Sequence, residues 1–234
     1  MKKRALSLLA ALILGLLLLP LTASTAYAED YDRILSYTIV AEPNVEDGSI
    51  TFTAAFNWKT LEELPYDPSH TDTENRALKI GIPNGAIREV KILSGDIEHL
   101  TNDNSFMYIF MDHTCAAGET FSFSYSWVQE YMYTLGEDGS VIYDYTPGWF
   151  DGAKTDKMML AWKDPAGMTS TISASTSNNS LWSRDGGAFM GKNLGHGHKI
   201  NVQVRYDSWP TALEAAHSIG PGPSGRRSRR RCRR

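Results

Sequence analysis

Large apolar side chains alternate with small polar ones in three stretches of the chain. In "SITFTAAFNW" (49–58) the even-numbered positions are apolar from Ile50 to Trp58, and the odd-numbered ones are mostly polar. The stretches "FSFSYSW" (121–127) and "KINVQVRY" (199–206) repeat this pattern. A period of two places one set of side chains on each face of a strand, so each stretch is predicted to be a half-buried antiparallel strand.

Shorter segments extend this prediction, and none shows the sustained 3.6-residue apolar stripe of a helix. The candidate strands are residues 33–40, 77–82, 87–93, 106–111, 140–145 and 157–162. The Ser- and Asn-rich segment 171–187 predicts a weak edge strand and a loop. About nine to eleven short strands favour an all-β fold, an antiparallel β-sandwich of immunoglobulin-like or jelly-roll-like form. The chain could form one such sandwich or two small ones with a boundary near residues 131–140.

Two Asp-Gly pairs mark predicted hairpins. "EDGSI" (46–50) and "EDGSV" (137–141) each precede an alternating or apolar run. Asp-Gly favours the two-residue turn whose twist matches that of a hairpin. We therefore expect a tight turn at each of these two places.

The first 28 residues have the pattern of a cleavable signal peptide. A basic start, "MKKR", precedes the apolar run "ALSLLAALILGLLLL", and "AYA" predicts cleavage after Ala28. No second apolar run long enough to cross a bilayer follows, so we expect no transmembrane span after cleavage. This leaves a predicted β-sandwich domain over residues 29–208 and an Arg-rich tail, 209–234, which we expect to be disordered. A reading-frame slip, a polybasic arm and an inert extension would each account for that tail.

Charge and cysteine content narrow the class of protein further. Without the basic signal and the seven arginines after Gly225, 13 basic residues stand against 27 acidic ones, a net charge of −14. Such a surface repels nucleic acid, so we expect no nucleic-acid partner. The two cysteines, Cys115 and Cys232, are too few for a disulfide framework. These features indicate a secreted or cell-envelope protein, held together by its core alone.

The stretch "YDYTPGWFDG" (143–152) is the first candidate for chemistry. One interpretation is a corner plug, in which its rings close the end of the sandwich. The other is a ligand-binding platform for sugar rings, with carboxylates accepting hydroxyl hydrogen bonds. The platform residues are Tyr143, Asp144, Tyr145, Trp149, Phe150 and Asp151. A general acid/base pair from Asp144 and Asp151 is a weaker variant of the same idea.

Histidine and cysteine provide the remaining candidates. His196 and His198 in "GHGHK" have the spacing of two metal ligands on one side of a strand, or of solvated histidines in a hairpin turn. Further ligands would have to come from His113, Cys115 or Asp112 in the distant stretch "MDHTCAAGE". His113 could activate Cys115 as a nucleophile, but this spacing is common by chance. No catalytic or dinucleotide-binding motif is present, so we assign no catalytic residue and expect no cofactor.

The blocks "DRILSYTIV", "LKIGIPN", "WVQEYMY" and "YTPGWFD", in this order, carry a resemblance. The chain resembles a group of uncharacterised secreted or envelope proteins of Gram-positive bacteria over about residues 30–165. Its start is also loosely similar to the extracytoplasmic β-domain of predicted membrane proteins of unknown function. The glycine- and cysteine-rich C-terminal segment of the group is replaced here by the arginine run. The resemblance implies an envelope location and no particular activity.

Together these observations predict a non-enzymatic module, exported to the cell surface or the extracellular space, whose extracellular ligand is unknown, with a glycan and a protein as the candidates. The alternative is a carbohydrate- or cell-wall-active enzyme or binding module using the Tyr143–Asp151 loop.

Overall fold

The computed structural model describes residues 32–148, 153–195 and 197–213. In these residues the chain forms fourteen β-strands and one 3-10 turn, Asn179–Leu181. The strands are β1 (Asp32–Pro43), β2 (Ile50–Thr60), β3 (Leu78–Gly81), β4 (Ile87–Ser94), β5 (Ile97–Asn102), β6 (Phe106–Met111), β7 (Thr120–Gln129), β8 (Tyr133–Leu135), β9 (Val141–Tyr145), β10 (Ala153–Trp162), β11 (Thr171–Thr176), β12 (Trp182–Asp185), β13 (Ala188–Leu194) and β14 (Ile200–Tyr206). The all-β prediction is confirmed. None of the helices in the described part of the chain is long and apolar enough to cross a membrane.

The strands form three sheets that share one core. The largest has the order β12-β13-β10-β1-β2-β7-β4, the second β11-β14-β9-β8, and the third β3-β6-β5. Buried side chains from all three sheets belong to a single hydrophobic cluster. The predicted sandwich architecture is therefore confirmed, and the possible boundary at 131–140 falls on β8 and its turn, with buried core residues on both sides.

The alternating pattern places the core where the sequence predicts it. Ile50, Phe52, Ala54, Phe56 and Trp58 on β2 are all buried, as are the apolar residues from Ile200 to Tyr206 on β14. On β7, Phe123, Tyr125 and Trp127 are buried, while Phe121 is half-buried at the start of the strand. Aromatic rings therefore pack side by side on the inner face of the large sheet. The Phe56 ring stacks on those of Tyr37 and Phe123, with centroids 4.4 Å and 4.9 Å apart.

The sheets are mostly antiparallel, as predicted, and one strand pair among the described residues is parallel. β1 pairs with β10 in parallel, with Tyr37 opposite Met158 and Ile39 opposite Leu160. Alternation predicts which face of a strand is buried but not the direction of its neighbour, because both kinds of pairing have the same period. The segment 171–187 does supply edge strands, β11 in the four-stranded sheet and β12 in the seven-stranded one.

The two Asp-Gly pairs do lie in hairpin connections, but the two-residue turns predicted there are wrong. Pro43 pairs with Ile50, and Leu135 pairs with Val141, so both loops are longer. In the first, the Asp47 carboxylate accepts hydrogen bonds from the Ser49 backbone N–H at 3.0 Å and from its hydroxyl at 2.6 Å. Asp138 and Ser140 repeat the arrangement in the second. This side-chain closure stabilises a wider loop than a backbone turn alone would give.

A chain of hydrogen bonds joins the two larger sheets. The Trp162 indole on β10 donates to the Tyr206 hydroxyl on β14 at 2.8 Å, and that hydroxyl donates to Asp164 Oδ1 at 2.6 Å. Phe52 of the large sheet packs on Tyr145 of the four-stranded sheet with centroids 4.8 Å apart. The two layers are therefore fixed in position by polar as well as apolar contacts.

Packing continues past the predicted end of the domain at residue 208. Trp209 lies edge-on to Tyr206 at 5.1 Å, and its indole donates to the Val45 carbonyl at 3.0 Å. Leu213 also packs against the core. Residues 209–213 thus add to the packing of the domain, because the ring of Trp209 lies against the end of the core.

Candidate metal centre

Three potential metal ligands converge on the connection between β6 and β7. The ligand atoms of His113, Cys115 and Glu119 all lie within 4.8 Å of one another. His113 Nε2 is 3.9 Å from Cys115 Sγ and 3.3 Å from Glu119 Oε1. Imidazole, thiol and carboxylate are the three side-chain types that bind zinc in proteins.

The backbone of this connection is anchored to the core on two sides. Cys115 and Leu64 exchange both backbone hydrogen bonds, at 2.9 and 3.0 Å. The buried Thr60 hydroxyl donates to the Ala116 carbonyl at 2.7 Å, and the Thr60 carbonyl accepts from Gly118 N–H at 2.8 Å. Gly118 has φ +83, a left-handed conformation that favours glycine and turns the chain back towards β7. Residues 115–119 thus form a fixed turn that brings Glu119 back to His113.

Two further hydrogen bonds orient the ligand atoms. Asp112 Oδ1 lies 2.6 Å from His113 Nδ1, so that Nε2 points towards Cys115 and Glu119. The Ala116 N–H donates to Glu119 Oε2 at 2.7 Å, which leaves Oε1 facing the histidine. A carboxylate on the far nitrogen of a ligating histidine is a common feature of zinc sites, because it fixes the tautomer and raises the basicity of the ring.

Electrostatics at the centre favour a cation. Burial first, and then the nearby carboxylates of Glu119, Asp112, Asp32 and Asp96, together raise the pKa of the Cys115 thiol to about 12. A thiol in this environment stays protonated at neutral pH, which does not favour the nucleophile hypothesis. The same negative charges attract a metal ion, which can replace the thiol proton.

The centre adjoins a polar surface built from the 61–76 segment and β5. The Tyr66 backbone N–H donates to Thr114 Oγ1 at 3.0 Å, and the Tyr66 phenol hydroxyl donates to Glu98 Oε1 at 3.1 Å. His70 Nε2 lies 3.0 Å from Glu98 Oε2, and the His70 ring stacks on His99 with centroids 4.8 Å apart. Three of the histidines in the described residues therefore lie on this side of the molecule, at or near the β6–β7 connection.

The predicted ligand-binding platform is described only in part. Tyr143 and Tyr145 are buried in the core, where Tyr143 donates to the Gly48 carbonyl at 3.1 Å. Asp144 is exposed and accepts a hydrogen bond from Asn201. Trp149, Phe150 and Asp151 lie outside the described residues. The two tyrosine rings are therefore part of the core and not available for stacking on a ligand, whereas the rest of the platform stays a prediction.

Gly148, in the same stretch, lies in close contact with Gly81 of β3. A Cβ placed on Gly148 would lie 2.2 Å from the Gly81 carbonyl oxygen of β3. The segment after β9 thus passes directly against the three-stranded sheet, which only a residue without a side chain allows.

His198 lies several strands away from the cluster of His113, Cys115 and Glu119. Its Nδ1 accepts a hydrogen bond from the Gly195 N–H at 2.9 Å, and His196 lies outside the described residues. Between the 195–199 loop and the β6–β7 connection stand β10, β1 and β2, because Leu194 pairs with Thr155 and β7 pairs with β2. At about 4.8 Å per strand, β13 and β7 are roughly 19 Å apart. The His196–His198 pair therefore stays a prediction, separate from the three residues that converge.

Sequence reasoning named His113 and Cys115 but missed Glu119. The signal was present, since Gly118 just before the glutamate permits the chain to reverse. The sequence around Glu119 does not show that the turn brings this residue back to His113. The hydrogen bonds that hold the turn in that position come from Thr60 and Leu64, which are far away in the sequence.

Comparisons with known proteins place the chain in no family. No protein-family model and no curated protein matches it. Among solved structures it is similar to a putative protease from Parabacteroides distasonis, with a TM-score of 0.47 and 10% identity, over 78% of this chain and 41% of that one. It is also similar to native leukotriene A4 hydrolase from Saccharomyces cerevisiae, with a TM-score of 0.40 and 12% identity, over 74% and 29%. A further match is an M1 zinc metallopeptidase from Deinococcus radiodurans, with a TM-score of 0.40 and 8% identity, over 73% and 42%.

The chain thus spans less than half the length of these proteins. Similarity at this level carries no argument about activity.

Proposed function

We propose that this chain is a non-enzymatic module, exported to the cell surface or the extracellular space, that binds a divalent transition-metal ion. The observation that carries the proposal is the convergence of His113, Cys115 and Glu119 within 4.8 Å. The N-terminal signal pattern and the acidic domain support the external location.

Two of the three distances between ligand atoms are close to those of a tetrahedral zinc site. With Zn–S of about 2.3 Å, Zn–N of about 2.05 Å and Zn–O of about 2.1 Å, a tetrahedral ion needs S···N near ~3.6 Å and N···O near ~3.4 Å. The distances in the structure are 3.9 Å and 3.3 Å. The first distance has to shorten by a few tenths of an ångström. The third pair, Cys115 and Glu119, lies within 4.8 Å, whereas a tetrahedral ion needs S···O near ~3.6 Å, so binding also requires the Glu119 side chain to move inwards by about 1 Å. The thiol disfavours Mg²⁺ and Ca²⁺, which take oxygen ligands, and favours Zn²⁺ or Co²⁺.

Cobalt titration of the full chain tests the proposal. A Cys232→Ser background leaves Cys115 as the one thiol in the sequence. We expect one Co²⁺ per chain and a thiolate-to-cobalt charge-transfer band that zinc removes. Cys115→Ser should abolish the band, and Glu119→Gln, which keeps the size of the side chain, should weaken binding at least tenfold.

His198→Gln is the matched control, because it removes a histidine outside the cluster. It should leave cobalt affinity unchanged. Absence of the band in the parent chain, or its persistence in Cys115→Ser, would refute the proposed function. Circular dichroism of each variant confirms that lost binding does not reflect lost folding.

A further inference from the structure

We propose that one end of the outer face of the large sheet binds an acidic polysaccharide. This surface, the basic face, is formed by five exposed or half-buried cationic side chains, those of Arg33, Lys59, Lys154, Lys157 and Lys192. None of the five belongs to the proposed metal centre.

The pairing of the strands places three of these cations side by side. Arg33 on β1 pairs with Lys59 on β2 and with Lys154 on β10. Residues next to them in the chain, such as Trp58 and Ala153, are buried in the core, so the three cations point to the opposite, outer face. Neighbouring strands are about 4.8 Å apart, so this row spans about 10 Å across three strands.

The other two cations lie directly opposite each other. Lys157 on β10 pairs with Lys192 on β13, and both are exposed. Like charges in this position destabilise a strand pair, and neither lysine has an ion-pair partner among the described residues. The fold therefore contains an unfavourable contact here, which an anionic ligand would make favourable.

The basic face contrasts with the acidic domain around it. Outside the signal and the tail the chain has 13 basic and 27 acidic residues, and five of the 13 lie on this one surface. Asp156 adjoins it, but its carboxylate accepts hydrogen bonds from Arg33 Nε at 2.9 and 3.0 Å. The nearby Glu119 is engaged by His113 and by the Ala116 N–H. The basic face thus attracts anions, although the domain as a whole repels them.

A row of uncharged hydrogen-bonding side chains lies beside the cations. Ser36 pairs with Asn57, and Asn57 pairs with Ser122. Asn57 is two residues from Lys59 on β2, so this row is on the same face. Cations next to hydroxyl and amide groups suit a polymer of sugar acids, because each of its units carries a carboxylate as well as hydroxyls. The strand spacing is close to the length of one sugar unit, so successive carboxylates can meet cations on successive strands.

Binding of an oligouronate, a short polymer of uronic acids, tests the proposal in the full chain. The seven arginines after Gly225 are replaced by glutamine, because they would bind any polyanion. A chelator removes metal ions. The oligouronate should bind more tightly than a neutral oligosaccharide of equal length, and its affinity should fall as salt is added.

Two pairs of lysine substitutions provide the comparison. Lys157→Gln with Lys192→Gln should weaken oligouronate binding about fivefold or more, because two charge contacts are lost. Lys163→Gln with Lys199→Gln is the matched control, since it removes two exposed cations outside the basic face, and it should leave the affinity unchanged. Urea denaturation confirms that each variant is folded.

The uncharged row is tested by Ser36→Ala with Ser122→Ala. This variant should bind the oligouronate more weakly and inorganic polyphosphate as before, because polyphosphate has no sugar hydroxyls. Unchanged oligouronate binding in this variant would exclude a polysaccharide as the ligand.

The remaining outcomes separate the basic face from the metal centre. Equal losses in the two pairs of lysine variants, or equal binding of the neutral oligosaccharide, would overturn the proposal. Tighter binding of polyphosphate or of anionic lipid vesicles would show that the surface takes another kind of anion, and would overturn it as well. Each of these failures leaves the proposed function standing, and a chain that binds no cobalt leaves the basic face standing.

Discussion

Asp32 offers a measurement of what a partly buried charge costs this fold. It begins β1, its side chain is hydrogen-bonded to the Trp58 side chain and to the Leu61 backbone, and burial raises its pKa from 3.8 to about 6. Asp32→Asn keeps the shape of the side chain and an oxygen that can accept the Trp58 hydrogen bond, and it removes the charge.

The magnitude follows from the shift. About two pKa units at about 1.36 kcal/mol each give an upper limit of about 3 kcal/mol, which solvent screening at a half-buried site reduces to about 1–2 kcal/mol. Above pH 6 the carboxylate is ionised in both the folded and unfolded states, and the folded protein bears the full cost. Below pH 3.8 the group is protonated in both states and the cost disappears. The variant should therefore be more stable than the parent at pH 7.5, with the difference vanishing towards pH 4.

Urea denaturation at pH 7.5 and pH 4, with a chelator present to remove bound metal, measures both free energies of unfolding. Asp185→Asn is the control, because Asp185 is exposed on the edge strand β12, and its change should be within about 0.5 kcal/mol at both pH values. Destabilisation by Asp32→Asn at pH 7.5, or an equal gain at both pH values, would show that desolvation does not set the energy of this group.

Three further substitutions test the packing and the turn. Tyr206→Phe removes the acceptor of the buried Trp162 N–H and should cost about 1–3 kcal/mol in urea denaturation. Tyr125→Phe removes a buried hydroxyl that has no hydrogen-bond partner among the described residues, so its unfolding free energy should be unchanged or higher by up to about 1 kcal/mol. Thr60→Val removes the hydrogen bond to the Ala116 carbonyl, and should weaken cobalt binding severalfold while costing about 1 kcal/mol of stability.

A specific result would contradict each of these three predictions. A Tyr206→Phe chain as stable as the parent would mean that the hydrogen bonds between the sheets contribute nothing net. A marked loss in Tyr125→Phe would reveal a partner for that hydroxyl. Unchanged cobalt affinity in Thr60→Val would show that the backbone hydrogen bonds of Leu64 and Thr60 are enough to position the turn.

The sequence predicts those strands that bury one face and expose the other. β2, β7 and β14 have a clean alternation, and the buried positions within the alternating stretches agree with it except at Phe121, which is half-buried at the start of β7. β5 was missed because Ile97 is its one buried residue, and β8 because it has three residues. In β13 a glycine and consecutive polar residues interrupt the alternation. Edge strands bury few side chains. They therefore lack the regular alternation of apolar and polar residues by which a central strand is recognised.

The sequence predicts which residue types could bind a metal ion at the candidate centre, but not which of them the fold brings together. His113 and Cys115 stand out by residue type, whereas the role of Glu119 depends on the turn at Gly118 and on the hydroxyl of Thr60. Asp32 illustrates the same limit, since its proximity to Cys115 arises from the pairing of β1 with β2 and not from the sequence around either residue. Contacts between distant segments are decided by sheet order, which local patterns do not encode.

The parallel pairing of β1 with β10 affects the order in which the chain can fold. β1 is the first strand described, yet one of its two edges stays unpaired until residues around Leu160 have been synthesised. Such long-range pairing makes for slow folding and delays completion of the core. A chain that stops before β10 would leave that edge of β1 open, so the large sheet can be completed only late in synthesis.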